Sequence, residues 1–231
     1  MSKIFIPIIL LLSTISCDVK SAETYYDEAI EVFEIGQWEQ SVALLDKAIE
    51  KKPKFRIALF QRGFCKAFRL DNYEEGISDF EKILAFDPDN ALALYYIATA
   101  YGEQSLHAKA IEFLTKTIAT EHISTISIIK MNLNLFAGYD DESLFEADGC
   151  NVYFYRGLHY VRIGEFDKAI ADLTRLVSKR VYERDSYFLL AEAYLGKKDT
   201  LNACENFSKS ANFGNQEAKE MLIKYCAKTN L

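Results

Sequence analysis

Apolar residues recur along most of the chain at three- and four-residue intervals, the spacing that places them on one face of an α-helix. These segments alternate with short polar turns and follow one another in pairs. The chain contains only 10 glycines and 3 prolines, so helices can run without interruption. The pattern predicts an all-α protein built from helix pairs.

Small residues set the register of these pairs. Five occur within the first helix of a pair: Ala29, Gly63, Ala98, Gly157 and Ala191. Twelve or thirteen residues later come Ser41, Gly76, Ala110, Ala169 and Ala203, and four residues after these come the large residues Leu45, Phe80, Leu114, Leu173 and Phe207. Two helices joined by a short turn approach closely only where both side chains are small. Each small pair therefore predicts the crossing point of a helical hairpin.

The steps between the first small residues are 34, 35, 59 and 34. The step of 35 requires one extra residue in the turn around Leu70 to Asn72. The step of 59 leaves about 25 residues, near 124–149, in place of a full repeat. We expect one helix there, ending near Gly138, and then an acidic loop. From Gly214 onward, helical spacing predicts a capping helix that covers the end of the stack.

Segments such as "FEIGQWEQSVALLDKAIEKKP" and "FYRGLHYVRIGEFDKAIADL" resemble the tetratricopeptide repeat, a unit of two paired helices. The resemblance implies a right-handed α-solenoid with five clear repeats and one degenerate repeat. Repeats 1–3 occupy 22–122, the degenerate repeat or insertion 123–149, repeats 5–6 150–213, and the capping helix 214–231.

The first 16 residues have the composition of a signal peptide. Lys3 is followed by nine apolar residues, Ile4 to Leu12, too few to span a bilayer as a helix. The sequence "STISC" then resembles the lipobox of bacterial lipoproteins, although Thr14 stands where that motif usually has Leu. We therefore expect lipidation of Cys17 and a tether over 17–21. The alternative is an ordinary secretory signal cleaved near Ser16.

In the tetratricopeptide family the first helix of each hairpin lines an inner groove. The position that points into this groove is aromatic in all five clear repeats: Tyr26, Phe60, Tyr95, Phe154 and Phe188. Phe64 belongs to the same candidate binding surface, which Phe33 and Leu158 extend. One interpretation is a stacking surface for a peptide. The other is packing between neighbouring repeats.

Cys204 and Cys226 lie at similar distances on either side of the turn near Gly214, so antiparallel helices would bring them to the same height. A disulfide is possible there if their Cβ atoms approach closely. Two buried free thiols are the alternative. Cys65 and Cys150 have no evident mate in the sequence.

Other chemistry is not indicated. The net charge of −7, without a long basic run, argues against nucleic-acid binding. The three histidines lack metal-ligand spacing, and the acidic run near 140–148 lacks the alternating ligands of a calcium loop. No nucleophile elbow or phosphate-binding loop occurs, so we expect neither enzymatic activity nor a cofactor.

Together these features predict a protein-binding scaffold, lipid-anchored on the extracytoplasmic side of an inner or outer bacterial membrane, whose partner is an envelope protein or peptide. The alternative function is glycan or peptidoglycan binding through the aromatic groove.

Overall fold

A computed structural model describes residues 20–120, 122–124 and 147–227. Eleven α-helices lie in this part of the chain: α1 Ala22–Glu34, α2 Trp38–Lys51, α3 Arg56–Arg69, α4 Tyr73–Leu84, α5 Ala91–Glu103, α6 His107–Ala119, α7 Gly149–Arg162, α8 Phe166–Ser178, α9 Glu183–Gly196, α10 Thr200–Asn212 and α11 Gln216–Cys226. The first ten form five hairpins, each packed against the next, and α11 packs against α10. The predicted all-α, right-handed solenoid of helical hairpins is confirmed.

Several predictions fall outside the described residues. They are the signal peptide 1–16, Cys17 and most of the tether, the helix ending near Gly138, and the last four residues of the capping segment. Two short strands bound the undescribed part of the insertion: β1, Ile123–Ser124, pairs in parallel with β2, Ala147–Asp148. Across the described ranges, the structure contains no helix both long and apolar enough to cross a membrane.

The two helices of each hairpin pack closely at the small residues, as the sequence predicted. Ala29, Ala98 and Ala191 are completely buried, as are their partners in the second helices. Space is tight in the second hairpin, where a Cβ on Gly76 would lie 2.6 Å from the Cβ of Ala67 and 2.7 Å from the carbonyl oxygen of Gly63. Such packing leaves no room for an added methyl group without movement of the backbone.

One residue in the left-handed region closes the tip of every hairpin. These residues are Gly36, Asp71, Ser105, Gly164 and Lys198, with φ between 54° and 80°. In four tips a backbone N–H then bonds the carbonyl five residues earlier, as Glu165 does to Tyr160. In the second tip Asn72 instead bonds Lys66, six residues earlier, so the extra residue lies in the predicted turn.

Two hairpins contain a buried arginine–aspartate pair. In the second, Arg62 donates from Nε and Nη2 to the two carboxylate oxygens of Asp79, at 2.7 and 2.6 Å. In the fourth, Arg156 binds Asp172 in the same way, at 2.7 and 2.8 Å. Burial alone would raise the pKa of the Asp79 carboxyl, but hydrogen bonds from Arg62 and Lys82 outweigh burial and lower it. These pairs fix the two helices of a hairpin against each other.

The buried apolar side chains of the described residues form three clusters along the stack. One core runs through the first three hairpins and includes Ala147 and Val152 beyond the insertion. A second core fills hairpins four and five, and a third joins the fifth hairpin to α11. The cap contributes little to this last core, since Ala218 is its only fully buried side chain among those described.

Candidate functional site: the inner face of the helical stack

First helices of successive hairpins approach one another in this structure, since α3 contacts α5 and α7 contacts α9. In a curved stack of hairpins this side is the inner one, and it is the side on which the sequence predicted binding. A ligand on this side can contact only those side chains of the first helices that remain accessible.

Most of the predicted aromatic ladder is not accessible. Tyr26, Phe60, Tyr95 and Phe188 retain at most 9% exposure. Their rings pack against neighbours such as Phe55, Phe80, Tyr96 and Phe207, with centroids 5.3 to 5.7 Å apart. These four rings are buried, so little of their surface is available to a ligand, and ligand binding by them stays a prediction. Packing, the other interpretation of the ladder, fits this burial. Phe60 also contacts Tyr96 of the next repeat, with centroids 5.1 Å apart, whereas Phe188 packs on Phe207 within one hairpin.

Phe64 is half-buried and forms an accessible aromatic group with Phe33 and Phe68, which we call the phenylalanine cluster. The Phe64 centroid lies 6.3 Å from that of Phe33 and 5.4 Å from that of Phe68. The guanidinium of exposed Arg69 lies 5.3 Å from the Phe64 centroid and 5.8 Å from that of Phe33. This surface combines apolar area with a cation held over the rings.

Phe154, also half-buried, belongs to a second group with Tyr155 and Tyr182, which we call the tyrosine cluster. The Phe154 centroid lies 5.6 Å from that of Tyr155 and 5.3 Å from that of Tyr182. Both tyrosines are 38% exposed, so they are among the most accessible aromatic rings of the described chain. The helix spacing did not predict Tyr155 or Tyr182, because neither occupies the ladder position.

A buried amide orients Tyr182. Its hydroxyl donates to the Asn151 side-chain oxygen at 2.5 Å, and Asn151 is only 7% exposed. Tyr182 also has a left-handed backbone, with φ 52°, immediately before α9. A bulky residue in this conformation is unusual and needs surrounding structure to hold it. The ring is thus held in place before any ligand binds, which lowers the entropic cost of binding.

A histidine pair joins the third and fourth hairpins. The Nδ1 atoms of His107 and His159 lie 3.2 Å apart, although the residues are 52 positions apart in sequence. Burial lowers the pKa of His159 to about 4, helped by His107 and by Arg162. No sequence pattern predicts this contact, because it joins residues on opposite sides of the insertion.

The structure joins Cys204 and Cys226 by a disulfide, with Cα atoms 5.8 Å apart. The bridge links α10 to the last turn of α11. Cys65 and Cys150 are buried free thiols, and burial raises the pKa of the Cys65 thiol to about 11. Within the described ranges no three His, Cys, Asp or Glu side chains are grouped as a metal site.

The paired helices, the small residues at each crossing and the repeated hairpin tips describe one recurring unit. The sequence profile of the tetratricopeptide repeat matches two stretches of it, residues 64–120 and 156–210. The chain is a tetratricopeptide-repeat protein. This tetratricopeptide-repeat stack is the architecture of a protein–protein interaction scaffold.

Solved structures share the tetratricopeptide-repeat fold of the chain. A crystal structure of MamA protein superposes with a TM-score of 0.65, covers 88% of this chain and 94% of that chain, and is 21% identical. Residues 41 to the end of MamA from Desulfovibrio magneticus RS-1 superpose with the same TM-score, cover 83% and 93%, and are 18% identical. Because these sequence identities are low, the superpositions show only that the fold is shared. Among curated proteins, none matches the sequence.

Proposed function

We propose that this tetratricopeptide-repeat protein is a membrane-anchored scaffold that binds an envelope protein or peptide on its inner face. The observation that carries the proposal is the pair of accessible aromatic clusters on the first helices. Tyrosine, arginine and other large side chains that are already ordered supply most of the energy at protein interfaces. A peptide with apolar anchors fits such a surface.

Anchoring through Cys17 supports an envelope location in this proposal. Two or three acyl chains at a lipoprotein cysteine hold a protein stably, whereas one chain alone is marginal. Such an anchor would place the repeat stack on the extracytoplasmic side of a bacterial membrane. Cys17→Ala should leave the protein without acyl mass and in the membrane-free fraction. Retention of Cys17→Ala in the membrane fraction would refute lipid anchoring.

Photo-crosslinking in intact cells tests the binding face. A photoreactive residue at Tyr155 or Phe68 should give one discrete protein adduct. The matched control is the same residue at Ala43, which is exposed on the second helix α2. The Tyr155 adduct should be lost when Tyr182 is changed to Ala. Equal adducts from Tyr155 and Ala43 would contradict a binding site on the inner face.

Glycan binding is the second candidate, and the exposed tyrosine rings of the tyrosine cluster favour it. Tyrosine rings stack on the apolar faces of sugars. Under this alternative, purified cell-wall glycan should retain the protein without any other protein present. Tyr155→Ala and Tyr182→Ala should then abolish retention, while Ala43→Ser should not. Retention that is unaffected by these changes would exclude the tyrosine cluster as a glycan site.

A further inference from the structure

The contact between His107 and His159 brings together two metal-binding side chains that the proposed function does not use. The Nδ1 atoms of their imidazoles lie 3.2 Å apart, although 52 positions separate the residues in sequence. The ring centroids are 5.2 Å apart, and the ring planes are inclined by 32°. One nitrogen from each of two neighbouring hairpins is thus directed at the same small volume.

The distance between the two Nδ1 atoms is the one that a shared metal ion requires. Histidine nitrogens bind transition metals at about 2.0–2.1 Å. When the angle between two such bonds is about 100°, the nitrogens lie about 3.2 Å apart. A metal ion beside the line that joins the two Nδ1 atoms can therefore bind both without changing their separation.

The surrounding helices hold the two rings in place. His107 is the first residue of α6, and His159 lies in the last turn of α7. A Cβ on Gly102 of α5 would lie 2.8 Å from Nε2 of His159, so α5 supports this ring from behind. His159 is 5% exposed and His107 is half-buried, so an ion from solvent approaches on the His107 side. Ligands that are ordered before binding lose little entropy when the ion binds.

The charges around the pair are balanced. Arg162 acts on His159, but its guanidinium also lies 3.3 Å from the carboxylate of Glu192, which offsets its charge. The last turn of α7 favours a cation through the helix dipole, whereas the first turn of α6 disfavours one. The free energy of metal binding must therefore come from the two nitrogen ligands.

The ligand type selects the class of metal. Imidazole nitrogens suit Zn²⁺, Cu²⁺ and Ni²⁺, whereas Ca²⁺ and Mg²⁺ require oxygen ligands. Among the residues that the structure describes, no third His, Cys, Asp or Glu joins the pair. Water would therefore complete the coordination of the ion, as at metal sites that keep open positions.

We propose that His107 and His159 bind one divalent transition-metal ion through their two Nδ1 atoms. In the metal-free pair, one Nδ1 carries a hydrogen and donates it to the other Nδ1. On metal binding this hydrogen is lost to solvent and Nε2 of the same ring takes one up, so both imidazoles stay neutral and both Nδ1 lone pairs bind the ion. The ion then links the third hairpin to the fourth across the insertion.

Calorimetric titration with Zn²⁺ tests the proposal. The protein is the metal-free full-length chain with Cys17→Ser, a change that removes a thiol able to bind zinc. It should bind one equivalent of Zn²⁺, and His107→Gln or His159→Gln should lower the affinity at least about 10-fold. The matched control His122→Gln removes an exposed histidine outside the pair and should change the affinity less than about threefold.

Two further measurements separate metal binding from a merely structural role of the histidines. Urea unfolding with free Zn²⁺ at 100 times its Kd should show a folding equilibrium constant raised about 100-fold, and His107→Gln should abolish this gain. Electron paramagnetic resonance of the Cu²⁺ complex should show two nitrogen ligands in the starting chain and one in His107→Gln. Circular dichroism should show equal helicity in these two chains.

Three results would overturn the proposal. The first is no binding of Zn²⁺ by the starting chain, and the second is equal Zn²⁺ affinity in His107→Gln. The third is a copper spectrum with fewer than two nitrogen ligands. His107→Gln is the decisive variant, because His107 is half-buried and its replacement leaves the buried His159 ring in place.

Discussion

The His107–His159 contact makes the packing of the third hairpin against the fourth sensitive to the protonation of His159. His159 is 5% exposed, and a Cβ on Gly102 would lie 2.8 Å from its Nε2 atom. The His159 ring therefore has little space to turn away from His107. Arg162 adds a further positive charge nearby. Protonation of His159 therefore opposes the contact between the third and fourth hairpins.

Stability should consequently fall in acid because of His159. In the unfolded chain its imidazole gains a proton near pH 6.5, but in the folded chain only near pH 4. The unfolded state therefore binds more protons between these values, and the free energy of unfolding falls by about 3 kcal/mol as pH drops through them. Urea unfolding followed by circular dichroism should show a flatter pH profile for His159→Gln. His122→Gln, at an exposed position, is the control. Identical profiles for wild type and His159→Gln would contradict this account.

The repeat position of each aromatic side chain could be predicted from the sequence. Its accessibility to solvent could not. The aromatic ladder shows this limit. Tyr26, Phe60, Tyr95 and Phe188 share one repeat position with Phe154, yet only Phe154 keeps appreciable exposure. Exposure depends on the neighbouring hairpin, and periodicity within one hairpin contains no information about that neighbour.

At the element scale the hairpin follows from its sequence in almost every respect. Small residues give the crossing, and N-cap side chains such as Asn90 and Asp199 start the helices by accepting backbone N–H bonds. The extra residue near Asn72 was also predictable, because the repeat length alone required it. The buried Arg62–Asp79 pair was not predicted, since its residues resemble ordinary surface charges in the sequence.

Ala98 tests the crossing of the third hairpin. Ala98→Leu should lower the free energy of unfolding by about 1–3 kcal/mol, because the added carbons have no space between α5 and α6. Ala43→Leu makes the same change at an exposed helical position and should alter stability by less than about 0.5 kcal/mol. Thermal unfolding of both variants measures the difference. Equal melting temperatures would mean that the small residues are not the contact points.

At the scale of the whole molecule, the stack is a series of neighbour contacts with weakly covered ends. The number of hairpins and the capping helix could be predicted, because every unit repeats one pattern. The β1–β2 pairing and the His107–His159 contact could not, since both connect residues on opposite sides of an insertion that lacks the repeat. The orientation of Tyr182 likewise depends on Asn151 in the preceding hairpin.

The disulfide should hold the cap at the C-terminal end. Among its described side chains, α11 buries only Ala218 fully, so its attachment depends strongly on the Cys204–Cys226 bond. A bridge closing a loop of this length contributes roughly 3 kcal/mol in the chain-entropy model. Reduction or Cys226→Ser should speed amide exchange in α11 but not in α1 to α4. Unchanged exchange in α11 would show that packing alone retains the cap.

The central claim is that a protein partner occupies the inner face of the stack. The most direct measurement is amide hydrogen exchange of the chain alone and with the partner captured by crosslinking. The account predicts slower exchange on binding in α3, α7 and the turn containing Tyr182, with little change in the second helices α2, α4 and α8. Protection confined to the second helices or the hairpin tips would contradict it.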